Sequence, residues 1–197
     1  MDYLAPHLVR SGFIRKGYSF HIALAETHGL INLQKSLKNS RTRVLFTVNL
    51  GVISRRLLRT LSNNINDDKL SLDACHWRQR LGWLLDVPHD KWWEIDSATK
   101  VDVLGSQLWE ILCERGIPMI KHYDTDRSLL DLWISGKSPG LTRFQRLINL
   151  STLASELGNL NLLEETINEL VDESAGKPCA DVARVHIRSL QNIHKHE

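Results

Sequence analysis

Arg43-Val44-Leu45-Phe46-Thr47-Val48-Asn49-Leu50 carries Val44, Phe46, Val48 and Leu50 on one side and Arg43, Thr47 and Asn49 on the other. A period of two sends successive side chains to opposite faces of a sheet, so this stretch predicts a half-buried β-strand. The segments before it carry the same period. In Tyr18-Ser19-Phe20-His21-Ile22-Ala23-Leu24 the residues Tyr18, Phe20, Ile22 and Leu24 share a side. Thr27-His28-Gly29 predicts a turn, and residues 30–35 a second strand with Ile31 and Leu33 on its apolar side, closing a hairpin. Asn39-Ser40-Arg41 then forms a loop into the central strand.

After Gly51 the period becomes helical through Ile53, Leu57, Leu58 and Leu61, and residues 62–68 are polar and turn-forming. A fourth strand is predicted over residues 75–85. There Cys75, Trp77, Leu81, Trp83 and Leu85 alternate with His76, Arg78 and Arg80. Pro88-His89-Asp90 turns the chain into a short fifth strand at residues 92–95. A short helix over residues 3–9 precedes them all. Sequential strands joined by short or helical links favour an antiparallel sheet.

From Ser97 onward the pattern is helical. Asp96 or Ser97 is the expected cap of a helix with the stripe Val101, Leu104, Leu108, Ile111 and Leu112. A second helix begins near Asp126 with Leu129, Leu130 and Trp133, and residues 136–140 form the best linker. Three further helices follow, the first with the stripe Phe144, Leu147, Leu150, Leu153, Ala154 and Leu157 and a stop at Gly158. The fold expected is α+β: an antiparallel sheet of about five strands with flanking helices over residues 1–135, and a three-helix extension over 141–197.

Composition agrees with a globular chain. At 197 residues, with 42% hydrophobic and 24% charged residues, it can bury a core and is not a disordered segment. Apolar runs are too short to span a bilayer, and the N-terminus lacks a secretion-signal core, so a cytoplasmic protein is expected. Cys75, Cys113 and Cys179 are odd in number and far apart; they are read as buried or half-buried thiols rather than a disulfide framework. The net charge of +2 is uneven. Residues 1–60 hold ten Lys/Arg against two acids, whereas residues 61–197 hold fifteen against twenty-one. A basic third of this kind suits an acidic partner or nucleic acid, unless the two parts simply attract one another.

Five motifs stand in order along the chain: Gly12-Phe13-Ile14-Arg15-Lys16-Gly17, Ile31-Asn32-Leu33-Gln34-Lys35-Ser36, Phe46-Thr47-Val48-Asn49-Leu50-Gly51, His76-Trp77-Arg78-Gln79-Arg80-Leu81-Gly82 and Trp92-Trp93. Over residues 8 to 135 they resemble the bacterial family known as domain of unknown function 4304. The resemblance implies a bacterial source and carries over no activity and no catalytic residue. Small bacterial families of this sort include immunity and defence components, an analogy at the level of family type alone.

Strand parity then defines a surface. Asn32 and Gln34 lie opposite Ile31 and Leu33, Asn49 opposite Val48, and His76, Arg78 and Arg80 opposite Trp77 and Leu81. One sheet face is therefore apolar, and the other carries amides, guanidiniums and an imidazole. Trp92 joins that polar face if its strand is real, whereas Trp77, Trp83, Trp93, Trp109 and Trp133 fall on apolar stripes and are expected in the core. The polar face is the candidate binding surface for a partner or an anion, with Asn32, Gln34, Asn49, His76, Arg78, Arg80 and Trp92 as its residues. The competing reading is a solvated face or one covered by a C-terminal helix.

Signals for chemistry are few. Asp124-Thr125-Asp126 beside His122 has the composition of a divalent-metal site, yet it precedes a helix, where capping is the expected role. His194 and His196 stand at the terminus and are read as adventitious. Arg41, Arg43, Arg55, Arg56 and Arg59 form a basic cluster in sequence without interleaved aromatics, so a solvated loop and helix face is favoured over a nucleic-acid site. No phosphate loop, nucleophile elbow or zinc-protease motif occurs. No catalytic residue, metal or cofactor is assigned. The expectation is a non-enzymatic module that binds a protein partner and no membrane; the alternative is a nucleic-acid-associated protein or phosphodiester hydrolase.

Overall fold

The computed structural model describes residues 3–61 and 70–193. Ser62 to Asp68, His194 and His196 lie outside the described residues. The chain groups into two compact units, Met1–Arg55 with Asn66–Thr125 and Arg56–Ile65 with Asp126–Glu197. Residues 126–135, read in sequence with the sheet domain, are grouped with the C-terminal helices, and the linker at 136–140 lies inside the second unit.

The first unit is an α+β structure built on an antiparallel sheet. Its strands are β1 (Ile14–Lys16), β2 (Ser19–Ala23), β3 (Thr27–Lys35), β4 (Arg43–Ser54), β5 (Trp77–Arg80) and β6 (Trp93–Asp96). They follow chain order from β1 to β5, while β6 pairs with the same edge of β4. β5 takes Asn49 to Val52 and β6 takes Arg43 to Phe46. β4 is long because it serves both, and its last residues pair with the start of β3. This overrides the helical reading of Ile53, which is fully buried inside the strand.

Three other parts of the sheet unit's strand region depart from the sequence reading. Thr27-His28-Gly29 belongs to β3, and the turn lies just before it, where the Leu24 N–H donates to the Thr27 carbonyl at 2.9 Å. Gly29 is present for close approach rather than for turning, since a Cβ there would stand 2.4 Å from Ile120 Cγ2 and 2.8 Å from Ile22 Cγ2. β5 stops at Arg80 and gives way to a helical turn over Leu81–Leu84, which leaves Trp83 exposed instead of in the core. β1 is an additional strand; Gly17, at φ +61°, opens the two-residue turn that joins it to β2.

Helix α1 (Leu4–Arg10) precedes the sheet. α3 (Val101–Ile111) begins later than expected, because Asp96 instead closes its own turn by accepting from the Ala98 N–H at 3.0 Å and the Thr99 hydroxyl at 2.7 Å. It runs through a π-type turn (Leu112–Gly116) into α4 (Ile117–His122). Pro118 has no N–H for the preceding turn and its ring crowds that carbonyl, which accounts for the widened turn just before it. These helices cover the apolar face: a Cβ on Gly116 would meet Leu112, Leu81 and Leu50 within 3.0–3.6 Å. Phe20, Ile31, Val48, Leu50, Val52 and Trp77 are all buried there. Trp109 is only half-buried, stacked on His7 with ring centroids 4.9 Å apart.

The second unit comprises α2 (Arg55–Leu61, from Arg56), α5 (Asp126–Ile134), α6 (Arg143–Glu156), α7 (Leu160–Ser174) and α8 (Ala180–Ile193). α6 starts with a capping box in which Thr142 and Gln145 satisfy each other's backbone N–H groups. Leu147, Leu170 and Ala183 form one apolar cluster and Ala154, Leu163 and Leu190 another. The start of α6 thus meets the end of α7 and the start of α8, so α7 runs antiparallel to its two neighbours. Trp133 is fully buried, and Arg146 beside it donates to the Trp133 carbonyl at 2.7 Å.

His186 on α8 lies 2.9 Å from the Ser151 hydroxyl, and burial pulls its pKa below the ordinary histidine value of 6.5. The folded state therefore holds His186 neutral where the unfolded chain would protonate it. The stability it contributes is complete above pH 6.5 and falls as the pH drops below it. His186→Gln is expected to flatten that part of the stability–pH curve, measured as denaturant midpoints between pH 7.5 and 5; an unchanged slope would remove His186 as its source.

Candidate functional site

The polar face of the sheet exists as parity requires. Ser19, Asn32, Asn49 and Arg80 lie in one register row across β2, β3, β4 and β5, with Gln34 opposite Thr47 one step along. Their amides bond to one another: Asn49 Nδ2 donates to Gln34 Oε1 at 3.0 Å and to Asn32 Oδ1 at 3.3 Å, and Asn32 Nδ2 donates to Ser19 Oγ at 2.9 Å. Asn49 and Thr47 are buried, Asn32 is half-buried and Gln34 is exposed. The face is thus graded from a closed centre at β4 to an open side at Gln34. Burying Asn49 is tolerated because its N–H groups find two acceptors on the neighbouring strand.

Arg80 is not a free cation. Its guanidinium stands 2.5 Å from both carboxylate oxygens of Asp90 and lies over the Trp92 indole, 5.2 Å from the ring centroid. Trp92 Nε1 in turn donates to Asp90 at 3.4 Å. The Arg80 hydrogen bond, with help from Trp92, holds the Asp90 carboxyl below its ordinary value. The loop carrying Asp90 and Trp92 is set by β6: Trp93 faces the apolar side against Phe46, so Trp92 must face the polar side. The Lys91 carbonyl, accepting from the Thr47 hydroxyl at 2.9 Å, anchors the loop to β4.

Arg78 stands on the same face opposite Gly51, with Asp73 3.7 Å away. Arg43 pairs with Glu94 at 2.6 Å, which raises its pKa further. Each of these three arginines therefore has a carboxylate beside it. His76 is drawn into the backbone, its Nδ1 accepting the Ser54 N–H at 3.0 Å. The structure thus gathers Asn32, Gln34, Asn49, Arg80 and Trp92, sets Arg78 beside them, and gives His76 a backbone role. Asp90 was missed in sequence. Its only signal was its place two residues before Trp92, inside a turn.

The other sequence candidates do not converge. Arg43 and Arg55 stand at opposite ends of β4, so the basic cluster in sequence is not one in space. Arg55 donates to the Ala25 carbonyl, and Arg56 pairs with buried Asp126 at 2.9 Å. Asp126 is thus engaged by an arginine, and among the described residues no group of three His, Cys, Asp or Glu side chains has metal-site geometry. The cysteines are all free: burial pushes the Cys75 thiol up to about 12, and Cys113 is exposed rather than half-buried, its pKa raised by local burial and by Glu114. Neither is an activated thiolate at neutral pH. Among the described residues no helix is long and apolar enough to cross a membrane.

The molecule is thus an α+β protein with an open antiparallel sheet whose polar face carries an amide ladder and an Arg–Trp–Asp cluster. Residues 4–122 match the family described as Domain of unknown function (DUF4304), and the chain belongs to that family. No curated protein and no solved structure matches the chain.

Proposed function

We propose that the chain is a non-enzymatic protein-interaction module whose docking surface is the polar sheet face around Arg80, Trp92 and the Asn32–Asn49–Gln34 amides. The observation that supports this reading most is the state of Arg80, which is neutralised by Asp90 and lies over the Trp92 ring. Such a surface is rich in hydrogen-bond donors and acceptors and close to electrically balanced. It suits the amide groups of a protein partner better than a polyanion, which rewards unpaired cations. Trp and Arg are also the side chains that most often dominate binding energy at protein interfaces. The role that fits is an accessory factor binding its partner stoichiometrically, the class to which immunity and defence components belong.

Affinity capture of the full chain from the source cell at moderate salt, with and without nuclease, tests the proposal. Trp92→Ala and Arg80→Ala are each expected to weaken capture of a stoichiometric protein by about 2 kcal/mol, roughly 30-fold. Nuclease is expected to change nothing. If the captured material is nucleic acid, its affinity falls steeply with salt and Arg78→Ala weakens it, the module reading fails and the alternative of a nucleic-acid-associated protein replaces it.

A further inference from the structure

On the other face of the sheet, the helices stop short of one end. The rows around Gly29, Leu50 and Gly116 are closed by the π-type turn and α4. Beyond them lies a cavity of about 380 Å³ to which α1, α3 and α4 contribute no residue. Its floor is Leu33, Val44, Phe46 and Ile95, contributed by β3, β4 and β6 through register pairs that keep all four side chains on the apolar side. Phe46 is buried and flanked by the Trp93 ring, 6.1 Å away between centroids.

The mouth is cationic. Lys35 Nζ lies over the Tyr18 ring, 4.7 Å from its centroid, and Arg15 donates through Nε to the Gly17 carbonyl at 3.2 Å. Neither cation has a carboxylate within ion-pair distance among the described residues, unlike the arginines of the polar face, and no acidic side chain lines the cavity. Arg15 still has its terminal guanidinium nitrogens to offer. An apolar floor below two uncompensated cations is complementary to one ligand chemistry: a compact apolar body bearing a single anionic group.

We infer that this cavity is a binding site for a small aromatic or branched aliphatic carboxylate. The apolar body lies on Phe46, Val44 and Ile95, and the carboxylate is held between Arg15 and Lys35. The site is separate from the polar face and does not depend on the function proposed for it. The cavity lies near the lower limit of known ligand pockets, which favours a one- or two-ring body over a lipid chain.

Naphthalene carboxylate and the isosteric, uncharged naphthalene carboxamide serve as probes, titrated into the full chain by calorimetry and by amide NMR. The carboxylate is expected to bind at least about tenfold more tightly, because it sets a full negative charge and two acceptor oxygens against the two cations, where the carboxamide offers one neutral acceptor. Arg15→Ala/Lys35→Ala is expected to bring the carboxylate down to the carboxamide's affinity; both positions are exposed, so the fold is retained. Ile95→Asp is expected to abolish both, and the shifted amides to cluster at Tyr18, Leu33, Val44 and Ile95. Equal affinity of the two probes, an unaffected double variant, shifts that map elsewhere, or no saturable binding at millimolar concentration would each overturn the inference.

Discussion

Trp77→Ala is expected to lower the unfolding free energy of the chain by about 4 kcal/mol, the usual range for deleting a fully buried indole. Trp77 is 1% exposed, sits opposite Val52 on the apolar face, and its ring lies 5.1 Å from that of Tyr123. Removing it leaves a void between the sheet and the end of α4 that neither can collapse to fill without breaking strand pairing or helix. Trp77→Phe separates volume from polarity. The Trp77 Nε1 is buried with no hydrogen-bond partner among the described residues, so phenylalanine deletes an unsatisfied donor while keeping most of the ring. Its loss is expected to stay below about 1.5 kcal/mol, since a buried unpaired N–H itself costs about 1–3 kcal/mol. Guanidinium unfolding followed by circular dichroism distinguishes the two. If the alanine variant loses less than the phenylalanine variant, Trp77 is not the packing centre described above.

Gly82→Ala has the second-largest expected effect, about 3 kcal/mol, and it links the core to the candidate site. A Cβ on Gly82 would stand 2.5 Å from the His89 carbonyl oxygen, 2.6 Å from Lys91 Cβ and 2.7 Å from the Lys91 nitrogen. Two of these atoms are backbone and cannot rotate aside. The Gly82 carbonyl also accepts the His89 N–H at 3.2 Å, so this glycine fixes the start of the loop that brings Asp90 and Trp92 to Arg80. The variant is expected to displace the loop, detach the indole from the guanidinium, and lose partner binding along with stability. Amide NMR shifts at Asp90 and Trp92 report the displacement. A variant with unchanged stability and unchanged shifts there would show that the loop is held elsewhere.

The elements that could be read in the sequence are those whose determinants are local. Val44, Phe46, Val48 and Leu50 alternate because one side of β4 is apolar throughout, and the same parity put Asn32, Gln34, Asn49, Arg78 and Arg80 on one face. Helices α5 and α6 followed from their stripes, with Gly158 ending α6 at φ +68°. The misreadings share the opposite cause. Gly29 looked like a turn residue, yet its reason is Ile120, far along the chain, pressing where a Cβ would be. Ile53 looked helical because its own neighbours resemble a helix, while its partner across the sheet, His28, keeps it in β4.

For the candidate site, the sequence by itself determined which side chains share the polar face, because the two-residue period is a property of the extended backbone. It could not say what charge that face presents. Arg80 is a cation in any alignment of letters, and only the fold of residues 81–92 brings Asp90 against it and Trp92 beneath it. The cavity at the opposite end was hidden for the same reason. Arg15, Lys35 and Ile95 come from three separate strands, and only sheet register, with helices that end before reaching them, brings them around one space.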